Sequence, residues 1–125
     1  MMKTPMAFRF AERARSFRHA LNGIVVVIRR EPNALIHLMA TIIVIALGFY
    51  EALSPTEWCV IVLAIGLVWV AEAFNTAIEF LGDEIASERR TGIGFAKDVA
   101  AGAVLLAAIC SAVLGLLVFV PHFLK

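Results

Sequence analysis

Polar side chains that could handle protons and bind cations recur at helical spacing through an otherwise apolar stretch. They are Glu72, Asn75, Thr76, Glu79 and Asp83. At about 100° of rotation per residue, these side chains fall within a sector of roughly 100° on one face of a helix. Carboxylates are costly in lipid, and those found in membrane-spanning segments commonly serve catalysis, ion binding or transport. The spacing therefore predicts a functional polar stripe at one end of an apolar helix.

Further charged residues are expected at the same membrane surface. They are Glu31 before the first apolar stretch, Glu88, Arg89 and Arg90 after the second, and Lys97 with Asp98 at the start of the third. Glu31 and Glu79 suit Mg²⁺, which commonly binds one or two carboxylates together with substrate phosphates. The basic neighbours suit a polyphosphate. Glu72 lies about 10 Å deeper and suits a general base. This set predicts phosphoryl transfer from a nucleotide in water to a hydroxyl in the membrane.

The composition predicts an integral membrane protein. Of the 125 residues, 62% are hydrophobic, and the mean hydropathy is +0.91. Soluble domains are roughly 45–50% apolar. The net charge of +1 indicates no nucleic-acid partner. Cys59 and Cys110 lie in apolar stretches and are expected to be small core or lipid-facing residues rather than a disulfide or metal pair. The N-terminus lacks the pattern of a signal peptide, so none is expected.

Three apolar stretches, 34–52, 58–81 and 99–123, predict membrane-spanning helices, since each has close to the ~20 residues that a span requires. In 6–30, arginines alternate with apolar residues at helical spacing, which predicts an amphipathic helix on the membrane surface. An ordinary helix packed on the bundle is the alternative for this segment. Pro32 predicts a bend before the first span. The expected fold is a single all-α membrane domain over residues 1–125.

The distribution of basic residues predicts the orientation in the membrane. Those before the first span are Lys3, Arg9, Arg13, Arg15, Arg18, Arg29 and Arg30. The first loop has Glu51 and Glu57 but no Lys or Arg, whereas the second has Arg89, Arg90 and Lys97. By the positive-inside rule, the N-terminus and the polar stripe face the cytoplasm.

Other interpretations of these residues stay open at this point. A small proton-coupled transporter also uses a membrane glutamate, although near the midplane and without a nucleotide site. In a noncatalytic assembly subunit, Asn75 and its neighbours would be hydrogen-bonding groups between helices. His37 is expected to be a satisfied polar residue within the bundle. Gly92 and Gly94 predict a flexible turn, and the chain has no GxxxxGK[ST] motif for a phosphate loop.

The run Glu72-Ala-Phe-Asn-Thr-Ala-Ile-Glu79, followed by Asp83 and by Lys97-Asp98, resembles the signature of the prokaryotic diacylglycerol kinase family, which includes the undecaprenol kinases. The resemblance extends to Ala20-Leu-Asn-Gly23 and to an acidic residue before the first span, so it covers most of the chain. It implies a homotrimer in the bacterial inner membrane that uses ATP and Mg²⁺ to phosphorylate a membrane lipid alcohol.

The resemblance also implies roles for individual residues. Glu72 would be the catalytic base, and Glu31 and Glu79 would bind the metal ion that accompanies ATP. Asn75 would orient the carboxylates and the phosphate. The implied nucleotide contacts are Glu88, Lys97 and Asp98, with Arg13 as a candidate from the surface helix, where the family pattern aligns poorly. Ala20 departs from relatives that have a small hydroxyl residue, and Glu31-Pro-Asn-Ala-Leu-Ile-His37 is more similar to the undecaprenol kinase branch.

Overall fold

The computed structural model describes residues 9–88 and 90–125, which fold into four helices. They are α1 (Phe10–Arg30), α2 (Ala34–Tyr50), α3 (Pro55–Ile85) and α4 (Thr91–Phe123). The described part of the chain has no strand, so the predicted all-α class is confirmed. The predictions for Lys3, for Arg89 and for the first residues of the 6–30 segment lie outside the described residues.

Two helices are each long and apolar enough to cross a membrane. The most apolar windows of α3 and α4 have mean hydropathies of 2.0 and 2.9. The 17-residue α2 passes the same criterion only together with α1, and the two helices meet at 105°. Counting that bent pair, up to three spans are present, in agreement with the sequence. Pro32 lies in the break, and Glu31 before it has extended backbone (φ −83°, ψ 123°), as expected for a residue that precedes proline.

The first helix lies against the other helices with only a small part of its surface. Val27 is its one buried residue, while Phe10, Phe17 and Leu21 are exposed. Near the C-terminal end of α1, the Arg30 guanidinium lies over the Phe80 ring of α3, at 5.6 Å from its centroid. The exposed apolar and basic residues agree with a helix at a membrane surface.

A sequence-encoded cap starts α3 at the end of the molecule opposite the polar stripe. Ser54 Oγ accepts a hydrogen bond from the Glu57 amide (3.2 Å), and the Glu57 carboxylate accepts one from the Ser54 amide (3.1 Å). Pro55 occupies the first turn, where its missing N–H is not needed. Trp58 fits closely over Gly48, because a Cβ at position 48 would lie 2.6 Å from the Trp58 ring. Leu53, Ile61, Val118 and Phe119 form a buried core beside this contact.

The helices α3 and α4 form the main packing interface of the chain. Small buried residues, Ala64, Ala100 and Ala107, let these helices approach closely. Ser111 Oγ donates a hydrogen bond to the Ala64 carbonyl oxygen at 2.8 Å.

The predicted flexible turn at Gly92 and Gly94 is wrong. Both residues lie in the first turn of α4, and the Gly94 amide donates to the Arg90 carbonyl oxygen at 2.9 Å. Each glycine costs about 1 kcal/mol in a helix, but packing of α4 against α3 offsets that cost. The third span is therefore part of a helix that begins eight residues before position 99.

Candidate functional site

The polar stripe of α3 divides into a buried part and an exposed part. Glu72, Asn75 and Thr76 are 1%, 7% and 4% exposed, so they face neighbouring helices. Glu79 and Asp83, one and two turns further along, are exposed. Burial of a carboxylate is unfavourable unless it has hydrogen-bonding partners. The partners of Glu72 therefore indicate how the site is built.

His37 on α2 is the side chain that contacts the Glu72 carboxylate. Its Nε2 lies 2.7 Å from Glu72 Oε1. The His37 ring packs edge-on against Trp69, with the two ring centroids 6.2 Å apart. Thr41 Oγ1 accepts a hydrogen bond from Trp69 Nε1 (3.0 Å) and donates one to the His37 carbonyl oxygen (2.7 Å). The sequence predicted a satisfied histidine but gave no signal for its partner.

Thr76 links the buried part of the stripe to the break between α1 and α2. Its hydroxyl lies 2.8 Å from Glu31 Oε1 and 2.9 Å from the Glu72 carbonyl oxygen. The hydroxyl has one proton, so it donates to these two acceptors in a shared hydrogen bond. Glu31 is thereby held beside α3 although it lies 45 positions earlier in the chain. Thr76 was on the predicted stripe, but the sequence assigned it no role.

Like charges gather around Glu79. The Glu79 carboxylate lies close enough to the carboxylates of Glu31 and Glu72 for their negative charges to repel one another. It is also in range of Asp83 and of the Lys97 ammonium group. Among the described residues, no group of three or more His, Cys, Asp or Glu side chains could bind a metal ion on its own. Glu31 and Glu79 fit Mg²⁺ bound with phosphate oxygens, because that ion uses few protein carboxylates.

One buried polar atom of the site has no hydrogen-bonding partner among the described residues. It is Asn75 Oδ1, on the face of α3 next to Glu72. A buried acceptor without a donor costs about 1–3 kcal/mol. This acceptor, which lies beside Glu72 and Thr76, is therefore open to a donor from outside the described residues.

Lys97 and Asp83 form the rim of this cluster. Lys97 Nζ lies 2.5 Å from Asp83 Oδ1, and the Lys97 stem packs over Gly82, where a Cβ would lie 3.1 Å from Lys97 Cε. Lys97 precedes the predicted third span at residue 99, and it is held beside Asp83 because α4 already begins at Thr91.

Three predicted site residues lie apart from the cluster. Asp98 is exposed and lines a separate recess of about 270 Å³ with Thr91, Gly94 and Phe95. Glu88 is exposed in the connection between α3 and α4. Arg13 lies seventeen residues before Arg30 on α1, which corresponds to about 26 Å along the helix axis. The chain therefore brings together Glu31, Glu72, Asn75, Glu79 and Lys97, but not Arg13.

An apolar groove lies beside the buried part of the stripe. It occupies about 720 Å³ between α1, α2 and α3. Its walls include Ile24, Val27, Trp69 and Phe80, and Thr76 contributes a polar group. The groove can take hydrocarbon close to the carboxylates.

Comparison with known proteins finds similarity along most of the chain. The family model described as "Prokaryotic diacylglycerol kinase" matches residues 18–119. An undecaprenol kinase of Bacillus subtilis is 42% identical over 107 residues, which are 86% of this chain and 87% of that protein. A diacylglycerol kinase of Synechocystis sp. is 34% identical over 111 residues, which are 88% of this chain and 63% of that protein. The matched range 18–119 contains Glu31, Glu72, Glu79 and Lys97 and excludes Arg13.

Proposed function

The chain belongs to the prokaryotic diacylglycerol kinase family and is a membrane lipid kinase, and we propose that it transfers the γ-phosphoryl group of ATP, with Mg²⁺, to the hydroxyl group of undecaprenol. As an enzyme, it is neither the proton-coupled transporter nor the noncatalytic subunit that the sequence alone left open. The proposal rests mainly on one observation: Thr76, which lines the apolar groove, shares its hydroxyl proton between the Glu31 carboxylate and the backbone carbonyl oxygen of the buried Glu72.

The proposed nucleotide site is the exposed part of the stripe. Glu31 and Glu79 bind the metal ion, and Lys97 compensates phosphate charge. A Mg²⁺ ion held by these two carboxylates would supply positive charge to the phosphate oxygens. Asn75 Oδ1, which has no donor among the described residues, accepts a hydrogen bond from an N–H or O–H group of the bound nucleotide.

In the proposed mechanism, Glu72 is the general base. The lipid oxygen forms a bond to the γ-phosphorus while its proton passes to the Glu72 carboxylate. The bond between the γ-phosphorus and the bridging oxygen breaks, and ADP leaves with that electron pair. Most of the acceleration comes from holding the two substrates in line and from the fixed charges around them. The groove between α1 and α2 on one side and α3 on the other shelters the first part of the lipid chain.

Two observations favour undecaprenol over diacylglycerol as the lipid. The Glu31–His37 segment is similar to the undecaprenol kinase branch of the family. The relative named undecaprenol kinase is also more similar to this chain (42%) than the one named diacylglycerol kinase (34%). Diacylglycerol is the alternative substrate that the experiment must separate.

The proposal also covers the membrane, the orientation and the oligomeric state of the enzyme. The protein spans the bacterial inner membrane with its N-terminus in the cytoplasm, where ATP is available, because the basic residues lie at the same end as the site. We also infer a homotrimer, because the resemblance to the family implies one. In a trimer, Arg13, Glu88 and Asp98 could reach a nucleotide bound to a neighbouring chain.

The test is phosphoryl transfer by the purified protein in lipid micelles. Undecaprenol and diacylglycerol are offered separately with γ-labelled ATP, with and without Mg²⁺, and the labelled lipid is quantified. We expect labelled phosphate to appear in undecaprenol and not in diacylglycerol. This labelling should require Mg²⁺. Label in diacylglycerol alone would contradict the proposed substrate, and transfer in a chelator would contradict the metal requirement. Cross-linking in membranes tests the trimer separately.

A further inference from the structure

We propose that His37 is a positioning residue for the Glu72 carboxylate in phosphoryl transfer. The inference rests on the proposed role of Glu72 as the base. In this arrangement His37 Nε2 donates a hydrogen bond to Glu72 Oε1 across 2.7 Å and fixes the side-chain rotamer. The second carboxylate oxygen then has a defined place from which to accept the proton of the lipid hydroxyl.

The His37 ring is itself held in place by contacts within the protein. The Trp69 ring packs against the imidazole in an edge-to-face arrangement, with the two ring centroids 6.2 Å apart. Thr41 joins the His37 backbone to the indole of Trp69 by two hydrogen bonds of 2.7 and 3.0 Å. Trp69 and Glu72 lie three residues apart on α3, so the same helix turn carries both contacts of the ring. The imidazole is therefore a rigid support rather than a mobile surface group.

The burial of Glu72 explains why such a support is needed. The residue is 1% exposed, so water cannot orient its carboxylate. A side chain with three rotatable bonds has several rotamers, and only a subset would point toward a bound hydroxyl. A hydrogen bond to a charged carboxylate is stronger than one between neutral groups, and in a buried setting it selects one of these rotamers.

A second histidine–glutamate pair in the same chain provides a matched control. His122 Nε2 lies 2.6 Å from Glu57 Oε2 at the opposite end of the helices. The two histidine side chains are similarly covered, at 17% exposed for His37 and 10% for His122. Removing either imidazole deletes one hydrogen bond to a glutamate, and His122 also lies 3.8 Å from Glu51 Oε2, but only the His37 bond involves Glu72. Equal losses of stability with unequal losses of turnover would isolate the positioning role.

The experiment compares steady-state kinetics and thermal unfolding of His37→Phe, His37→Gln and His122→Phe in lipid micelles. Phe keeps a ring against Trp69 but has no donor, whereas the Gln side-chain amide can donate near the position of Nε2. We expect His37→Phe to lower kcat by about 10–100-fold, the usual range for a supporting hydrogen bond, with KM for ATP changed less than about twofold. His37→Gln should recover most of that loss. His122→Phe should leave kcat within about twofold.

Several outcomes would overturn the inference. They are an unchanged kcat in His37→Phe, equal losses in the Phe and Gln variants, or a loss seen only in KM for ATP. If His37→Phe does not fold, His37→Leu and His37→Gln give the same comparison. Glu72→Gln is measured in parallel: full activity in that variant removes the proposed base and the inference with it. A severe loss in Glu72→Gln with normal His37→Phe leaves the base in place and rejects only the positioning role.

Discussion

The two histidine–glutamate pairs have the same chemistry but very different surroundings. At one end, Glu72 is 1% exposed, and it lies near the charges of Glu31 and Glu79 and near the Asn75 oxygen, which has no donor in the described part of the chain. At the other end, the Glu57 side chain is 31% exposed, and its oxygens accept hydrogen bonds from His122 and from the Ser54 amide.

The difference is the one expected if the Glu57 end serves stability and the Glu72 end serves the proposed chemistry. Around Glu57, the capping box supplies two hydrogen bonds, Trp58 fits closely on Gly48, and an apolar core packs beside this contact. Around Glu72, like charges and an unsatisfied acceptor remain, and such local destabilisation is common where a ligand supplies the missing partner. The predictions below test this contrast, beginning with the largest expected effect.

Replacing the two glutamates should affect turnover very unequally. Glu72→Gln preserves shape but removes the proposed proton acceptor, so kcat should fall by about 10²–10⁴-fold. Glu57→Gln should stay within about threefold, because it lies at the opposite end of the helices. Transfer of labelled phosphate to the lipid measures both. Near-native turnover in Glu72→Gln, with the protein shown to be folded, would remove the distinction between the two ends.

Metal dependence should be confined to the Glu72 end. Glu79→Gln removes one of two proposed Mg²⁺ ligands, so the Mg²⁺ concentration for half-maximal activity should rise by about tenfold or more. Glu84→Gln is the control, because Glu84 is another exposed acid on the same helix without a proposed role. Activity is titrated with Mg²⁺ after chelation. Identical titration curves for the two variants would contradict the assigned metal ligands.

Asn75 is expected to support turnover without stabilising the fold. Asn75→Leu removes a buried acceptor that has no donor among the described residues, so the free energy of unfolding should stay the same or increase by about 1 kcal/mol. The same change should lower kcat by about tenfold or more, because a group proposed to contact the substrates is lost. Thermal unfolding and kinetics on one preparation measure both quantities. A destabilised but fully active variant would show that Asn75 is structural.

Ser54 should show the opposite behaviour at the other end, with the smallest effect on activity. Ser54→Ala removes the hydroxyl that caps α3, so the free energy of unfolding should fall by about 1 kcal/mol. We expect kcat to be unchanged within error. Thr56→Ala is the control on the same turn, since Thr56 is exposed and has no part in the cap. A marked loss of turnover in Ser54→Ala would mean that the two ends are coupled.

The sequence by itself determined the helices and most of the proposed site. Apolar stretches of membrane-spanning length predict α3 and α4, because hydrophobic length and helical period are local properties of the chain. The cap of α3 is readable from Ser54, Pro55 and Glu57 for the same reason. The polar stripe followed from spacing on a single helix, and this placed Glu72, Asn75 and Glu79 on one face.

Only the tertiary structure decided which residues on different helices meet. The pairs His37–Glu72, Thr76–Glu31 and His122–Glu57 join positions 35, 45 and 65 residues apart. Their contacts depend on the 105° bend at Pro32 and on the way α4 packs against α3. The same packing made the Gly92–Gly94 segment helical against its local preference. Side-chain pairing across helices is set by the relative placement of whole elements, and no short stretch of sequence encodes that placement.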